Sequence, residues 1–156
     1  MAGIVRRGRR ILLSTVSSDS HTWNLVFLEM ALQEAGFQVT NLGPCVPDDL
    51  LLAAALKERP DAIVISSVNG HGCLDGKRVV QKLRVDRQTR SIPVMIGGKL
   101  GTRGDSAEAH VQELLEAGFT AVFTEAADVR ALRGLLAQLG EAAETTTFRA
   151  REEVIA

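Results

Sequence analysis

Asp19 and His21 stand one residue apart in the run Ser-Ser-Asp-Ser-His-Thr-Trp-Asn, Ser17 to Asn24. A histidine that ligates a metal through one ring nitrogen usually donates its other N–H to a carboxylate. That partner fixes the tautomer, orients the ring and raises its basicity. The same two residues can equally be an ordinary hydrogen-bonded pair in a loop. One imidazole cannot hold a bare ion, and no second ligand cluster accompanies it in the sequence. Cys45 and Cys73 lie in different segments, so they form neither a C-x-x-C pair nor a disulfide framework. A metal bound by His21 would have to arrive already coordinated inside a macrocycle, of haem or corrin type.

The elements that must position this pair follow from periodicity. Apolar runs of strand length alternate with helix-period segments from Ile11 to Leu139. Strands are expected over 11–16, 37–43, 61–67, 92–98 and 120–124, and helices over 23–35, 47–58, 74–85, 106–117 and 128–139. Gly36 suits a helix stop, Pro47 a first helical position, and Asp48 and Asp49 the first turn that follows. The run Asp-Ala-Ile-Val-Ile-Ser-Ser is apolar throughout its middle, as in a strand covered on both faces. Strands and helices in this alternation need crossover connections. The expected fold is α/β, a flavodoxin-like, doubly wound, five-stranded parallel sheet in the order 2-1-3-4-5 (a Rossmann-like arrangement). Residues 1–9 read as a basic N-terminal arm, 10–139 as the domain and 140–156 as a C-terminal tail.

Composition narrows the class. Apolar residues make up 46% and charged residues 24%, the balance of a soluble globular chain. The formal net charge of −1 gives no reason to expect a nucleic-acid partner. The basic run Arg6 to Arg10 reads as a solvated arm. No stretch has the length and apolarity of a membrane span, and the N-terminus lacks the pattern of a secretory signal. With two free thiols, a cytoplasmic location is the expectation.

In an open parallel sheet, ligands bind beyond the C-terminal ends of the strands, at the switch in strand order. Three loops converge there, 17–22, 66–72 and 97–104, all rich in Ser, Gly, Asn and His. A flavin phosphate cradle would want hydroxyls and a glycine where Asp19 and His21 stand. A phospho-receiver would want a phosphorylatable aspartate where the third strand ends in Ser66-Ser67, and a lysine where the fifth ends in Thr124-Glu125. Neither reading suits these loops.

The stretches S-D-S-H-T-W-N, S-S-V-N-G-H-G-C-L-D and I-G-G-K-L-G, in this order, resemble the small cobalamin-binding (sigma) subunit of glutamate mutase. More broadly they are similar to the cobalamin-binding domain shared with methylmalonyl-CoA mutase and methionine synthase, whose pattern is D-x-H-x-x-G, then S-x-L or S-x-V, then G-G. The resemblance spans roughly residues 10–139. It implies that His21 is the lower axial ligand of cobalt and Asp19 its hydrogen-bonded partner. It further implies that Ser66, Ser67 and Val68 line the channel for the displaced nucleotide tail, and that Gly97 and Gly98 let the backbone approach that tail. Ser18, Ser20, Thr22, Lys99, Leu100 and Gly101 complete the implied cofactor-binding set, with Arg103 and Lys99 candidates for corrin amides or phosphate. Two departures stand out. Asn24 occupies the family's glycine position, as a candidate helix cap, and Glu125 replaces a small Gly-Thr turn.

By this resemblance the cofactor is adenosylcobalamin and the reaction a radical carbon-skeleton rearrangement of the methylaspartate mutase type. A larger catalytic barrel subunit would cap the corrin and bind most of a small amino-acid substrate, glutamate or a relative, so this chain would not be active alone. Two alternatives accompany it. One is a corrinoid carrier for methyl transfer, which usually has a helical cap domain where only a short stretch precedes the first strand here. The other is a non-catalytic cobalamin-binding or sensor module, which Asn24 and Glu125 favour. Among the remaining residues, Trp23 is expected to pack at a helix start, His110 to lie on a helix surface, and His71, Gly70 and Gly72 to belong to a tight loop. Cys73 reads as a bystander.

Overall fold

The structure, a computed structural model, describes residues 8–102, 106–124 and 129–139. The elements are β1 (Arg10–Thr15), α1 (Trp23–Glu34), β2 (Gln38–Asn41), α2 (Asp48–Glu58), β3 (Ala62–Ser67), α3 (Gly72–Val85), β4 (Val94–Gly98), α4 (Ala107–Ala117) and β5 (Ala121–Thr124). Residues 129–139 are helical and form α5. The strands make one sheet in the order β2-β1-β3-β4-β5, parallel at every pairing. This is the flavodoxin-like, doubly wound topology expected.

Successive side chains of a strand point to opposite faces, so the apolar runs of β1, β3 and β4 feed two cores. Leu12, Ile63, Ile65, Val94 and Ile96 face α2, α3 and α4, where they meet Leu51, Val79, Leu83 and Leu114. Ile11, Leu13, Val64 and Met95 face α1 and α5, against Leu25, Leu32, Leu132 and Leu136. Burying each such side chain contributes roughly 1.5–3 kcal/mol. The three loops at the C-terminal ends of β1, β3 and β4 therefore rise from the best-packed part of the molecule.

Element ends differ from expectation for local reasons. Pro47 caps α2 instead of opening it, with φ −59° and ψ 146°. Helix α3 starts at Gly72, two residues early. The Asn69 side-chain oxygen accepts the His71 N–H at 2.9 Å, and the Leu100 carbonyl takes the Cys73 N–H at 2.9 Å. These bonds close the loop before the helix. Arg9 and Arg10 are engaged in the fold: Arg9 Nη1 donates to the carbonyls of Leu136 and Ala137 at 3.3 Å, and Arg10 Nη1 to that of Glu58 at 3.0 Å. The tail 140–156, the first seven residues, Arg103 and Glu125 lie outside the described residues.

Candidate functional site

The backbone turns sharply after β1, with the Asp19 N–H bonded to the Val16 carbonyl at 3.1 Å. This turn drives Asp19 inward, and the residue is 0% exposed. A carboxylate so placed must be fully hydrogen-bonded. Its Oδ1 accepts the His21 N–H at 3.0 Å and His21 Nδ1 at 2.7 Å, and its Oδ2 accepts the Val68 N–H at 2.7 Å. Its carbonyl takes the Cys45 N–H at 2.8 Å. One residue thus joins the loops after β1, β2 and β3.

Burial by itself would raise the Asp19 pKa. The bonds from the Val68 and His21 amides, with the His21 ring and its charge, outweigh burial and hold the carboxyl below its ordinary value. In whichever form the imidazole is neutral, an ionised Asp19 makes Nδ1 its donor nitrogen, which leaves the Nε2 lone pair for a ligand. The His21 side chain is 59% exposed. Among the described residues no group of three or more His, Cys, Asp or Glu could hold a metal ion. A metal on Nε2 would bring its other ligands with it.

Beside this pair a cavity of about 220 Å³ opens between the sheet and helices α1 and α5. Phe27, Leu28, Met95, Phe123 and Leu132 give it apolar walls, and Ser66, Val68, Gly97 and Gly98 line it at the strand ends. Asn24 lines it too. It is the second residue of α1, two past the cap position at Thr22, and its Nδ2 donates across to Ser66 Oγ at 2.5 Å. Its Oδ1 is buried with no hydrogen-bond partner among the described residues. The cavity is thus an apolar slot edged by hydroxyl and amide groups.

The structure brings Asp19, His21, Ser66, Val68, Gly97 and Gly98 together as expected. Ser67 is buried beside them. Ser20 and Thr22 are exposed, and Thr22 sits at the α1 cap position without a side-chain cap bond. Lys99 is exposed, whereas Leu100 is buried. Leu100 and Gly101 line a separate hollow between α3 and α4, with the His110 ring packed over Gly101. They do not face the apolar slot. The need for glycine at 98 also has another origin than ligand approach. Gly98 has φ +113°, and a Cβ there would run into the Ser67 carbonyl oxygen, so β3 already demands it.

Two minor expectations change. Trp23 does not pack; it is 84% exposed. His110 is half-buried. Cys73 is buried, with Sγ 3.6 Å from Glu113 Oε2. Sequence reasoning missed the apolar cavity walls on α1, β5 and α5, because such residues look like any other core. It also missed Asn69, Asp75 and Arg78, which touch the histidine loop. An aspartate in the first turn of a helix reads as a dipole partner just as well.

A buried carboxylate, an exposed imidazole and an adjoining apolar slot thus meet at the switch point of a flavodoxin-like sheet. The B12 binding domain family matches residues 9–133, and the chain belongs to that family. Within it, the chain groups with the sigma subunits of glutamate mutase. Glutamate mutase sigma subunit 2 of Haloarcula marismortui is 32% identical over 93% of this chain and 93% of its own length. The glutamate mutase sigma subunit of Fusobacterium nucleatum is 30% identical over 74% of this chain and 84% of its own. Among solved structures, a cobalamin-binding protein from Desulfitobacterium hafniense superposes with a TM-score of 0.69 at 20% identity, covering 85% of this chain and 59% of that one. A Francisella response-regulator receiver domain reaches 0.66 at 21% identity, covering 87% and 99%. Both likenesses speak for the fold alone.

Proposed function

We propose that this chain is the cobalamin-binding small subunit of an adenosylcobalamin-dependent carbon-skeleton mutase of the glutamate mutase (methylaspartate mutase) type. The observation that carries the proposal is the 2.7 Å contact of His21 Nδ1 with a wholly buried Asp19. With Nδ1 engaged by Asp19, Nε2 of the exposed ring is the atom that would hold the cobalt in place of the cofactor's own base. When bound, adenosylcobalamin supplies the radical chemistry through homolysis of its cobalt–carbon bond. This chain's residues bind and orient. Asp19 holds the Nδ1–H tautomer, Val68 and Cys45 lock Asp19 through their amides, and Ser66, Val68, Gly97 and Gly98 line the slot for the displaced nucleotide tail.

The relatives are named as subunits, which supports a larger catalytic partner carrying the barrel and most of the contacts to a small amino acid, glutamate or a relative. On this reading the chain alone is inactive. Two free thiols suit a reducing, cytoplasmic setting. Asn24, which lines the slot and whose buried Oδ1 has no partner among the described residues, favours one second reading: a non-catalytic cobalamin-binding module.

The test is an absorption spectrum of the purified chain titrated with cobalamin, beside His21→Ala. A base-off, histidine-on spectrum in the wild type that vanishes in the variant is the expected outcome. A wild-type spectrum that His21→Ala leaves unchanged refutes the ligand assignment. Turnover of glutamate on adding the large subunit separates the mutase from the non-catalytic module.

A further inference from the structure

Asp75 and Arg78 lie on the first two turns of α3, outside the histidine–carboxylate pair and its cavity. Asp75 is 8% exposed and needs partners. Its Oδ1 accepts Arg78 Nη1 at 3.1 Å, and its Oδ2 accepts the hydroxyl of Ser18. Ser18 Oγ also accepts Asn69 Nδ2 at 2.9 Å. Arg78 spreads its guanidinium further. It donates from Nε to Asp48 Oδ2 at 2.6 Å, at the start of α2, and from Nη2 to Ser17 Oγ at 2.8 Å. The bonds to Asp48 and Asp75 raise the Arg78 pKa despite some burial, so the charge is permanent.

Ser17 and Ser18 are the two residues before Asp19, and each is tied to a different side chain of α3. Ser18 is exposed, so hydrogen bonds rather than packing hold it. A loop of polar, partly exposed residues would otherwise sample many conformations, and a metal ligand on it would be ordered only on binding. We propose that Asp75 and Arg78 are positioning residues for the axial histidine. From α3 they hold Ser18 and Ser17, and so set the backbone from which Asp19 and His21 project. The proposal rests on the reading of His21 as cobalt ligand.

A purely structural role would make the same charges a brace between α2 and α3. Lys82 supplies the control, because it pairs with Asp48 at 3.6 Å and Asp49 at 3.3 Å but has no bond to the loop. The experiment uses the full chain as wild type, Ser18→Ala, Asp75→Asn, the double variant and Lys82→Ala. Without cobalamin, amide hydrogen exchange is followed by NMR at His21 and Val68, whose N–H groups both bond Asp19. With cobalamin, affinity and the histidine-on fraction are read from absorption spectra.

Ser18→Ala and Asp75→Asn should each speed exchange at both amides and weaken cobalamin binding about 10-fold, the low end for loss of an outer partner of a metal ligand. The double variant should be no worse than Asp75→Asn, and Lys82→Ala should match wild type. Unchanged exchange at both amides in a folded Ser18→Ala, with a normal histidine-on spectrum, overturns the positioning role while sparing the ligand assignment. So does an effect of Lys82→Ala as large as that of Asp75→Asn. A wild-type spectrum indifferent to His21→Ala overturns both. Should Asp75→Asn fail to fold, Ser18→Ala still cuts the same bond from an exposed position.

Discussion

Asp19→Asn is the perturbation with the most to say about the histidine. The native carboxylate accepts three N–H groups, two from His21 and one from Val68, at 2.7–3.0 Å. An amide of the same shape keeps one acceptor and turns two N–H donors toward whatever faced the other oxygen. If the oxygen stays with His21, the amide nitrogen opposes the Val68 N–H, and one charge-assisted bond worth about 1.5–3 kcal/mol is lost. Two further bonds weaken to neutral ones, while a neutral group is easier to bury. The net expectation is a loss of about 2 kcal/mol of stability. If the amide nitrogen turns to Nδ1 instead, the ring proton is driven to Nε2, the nitrogen needed for cobalt.

Either rotamer should cost about 10- to 100-fold in cobalamin affinity. Because Asp19 is held below its ordinary pKa, its stabilisation is complete above the unfolded carboxylate value near about 4. It is lost as pH falls through the lower, folded value. The stability gap between wild type and Asp19→Asn should therefore be full at neutral pH and close in acid. Urea unfolding across that range and a cobalamin titration at neutral pH measure the two effects. Wild-type affinity in Asp19→Asn, with the histidine-on spectrum intact, would refute the claim that Asp19 orients the ligand.

Gly98→Ala should destabilise the chain by about 1–3 kcal/mol even without cobalamin, since the Cβ strikes the Ser67 carbonyl at φ +113°; denaturation of the free protein with unaltered stability contradicts this. Asn24→Gly removes a buried oxygen with no partner among the described residues and takes a side chain out of the slot's lining, so cobalamin should bind more tightly, although a helical glycine costs about 1 kcal/mol of stability. Weaker binding on titration would mean that the amide is a ligand contact. Trp23→Ala should leave stability within about 0.5 kcal/mol, given 84% exposure. As the sole tryptophan, Trp23 should emit as a solvated indole before and after unfolding.

The sheet was legible because its cause is local: apolar runs of strand length, separated by segments of helical period, allow few topologies. The pair Asp19–His21 was legible for the same reason, since its two members are adjacent in the chain and their contact needs no knowledge of the fold. The early start of α3 was not, because it depends on Asn69 and on a carbonyl from the loop after β4. Trp23 was misjudged by treating an indole at a helix start as core. Helix α1 is apolar almost all round, so periodicity alone did not show which face turns inward.

What escapes a linear reading is the set of contacts that make the histidine useful. Val68 reaches Asp19 across 49 residues, Asp75 reaches Ser18 across 57 and Arg78 reaches Ser17 across 61. Each contact exists only because β3 pairs directly with β1, which sets the loop after β3 and the start of α3 beside the loop after β1. A two-residue motif supplies the chemical groups, but the strand order supplies their orientation. The same D-x-H run moved to the loop after β5, two strands from β3 at the sheet edge, would keep its imidazole and lose the partners that aim it.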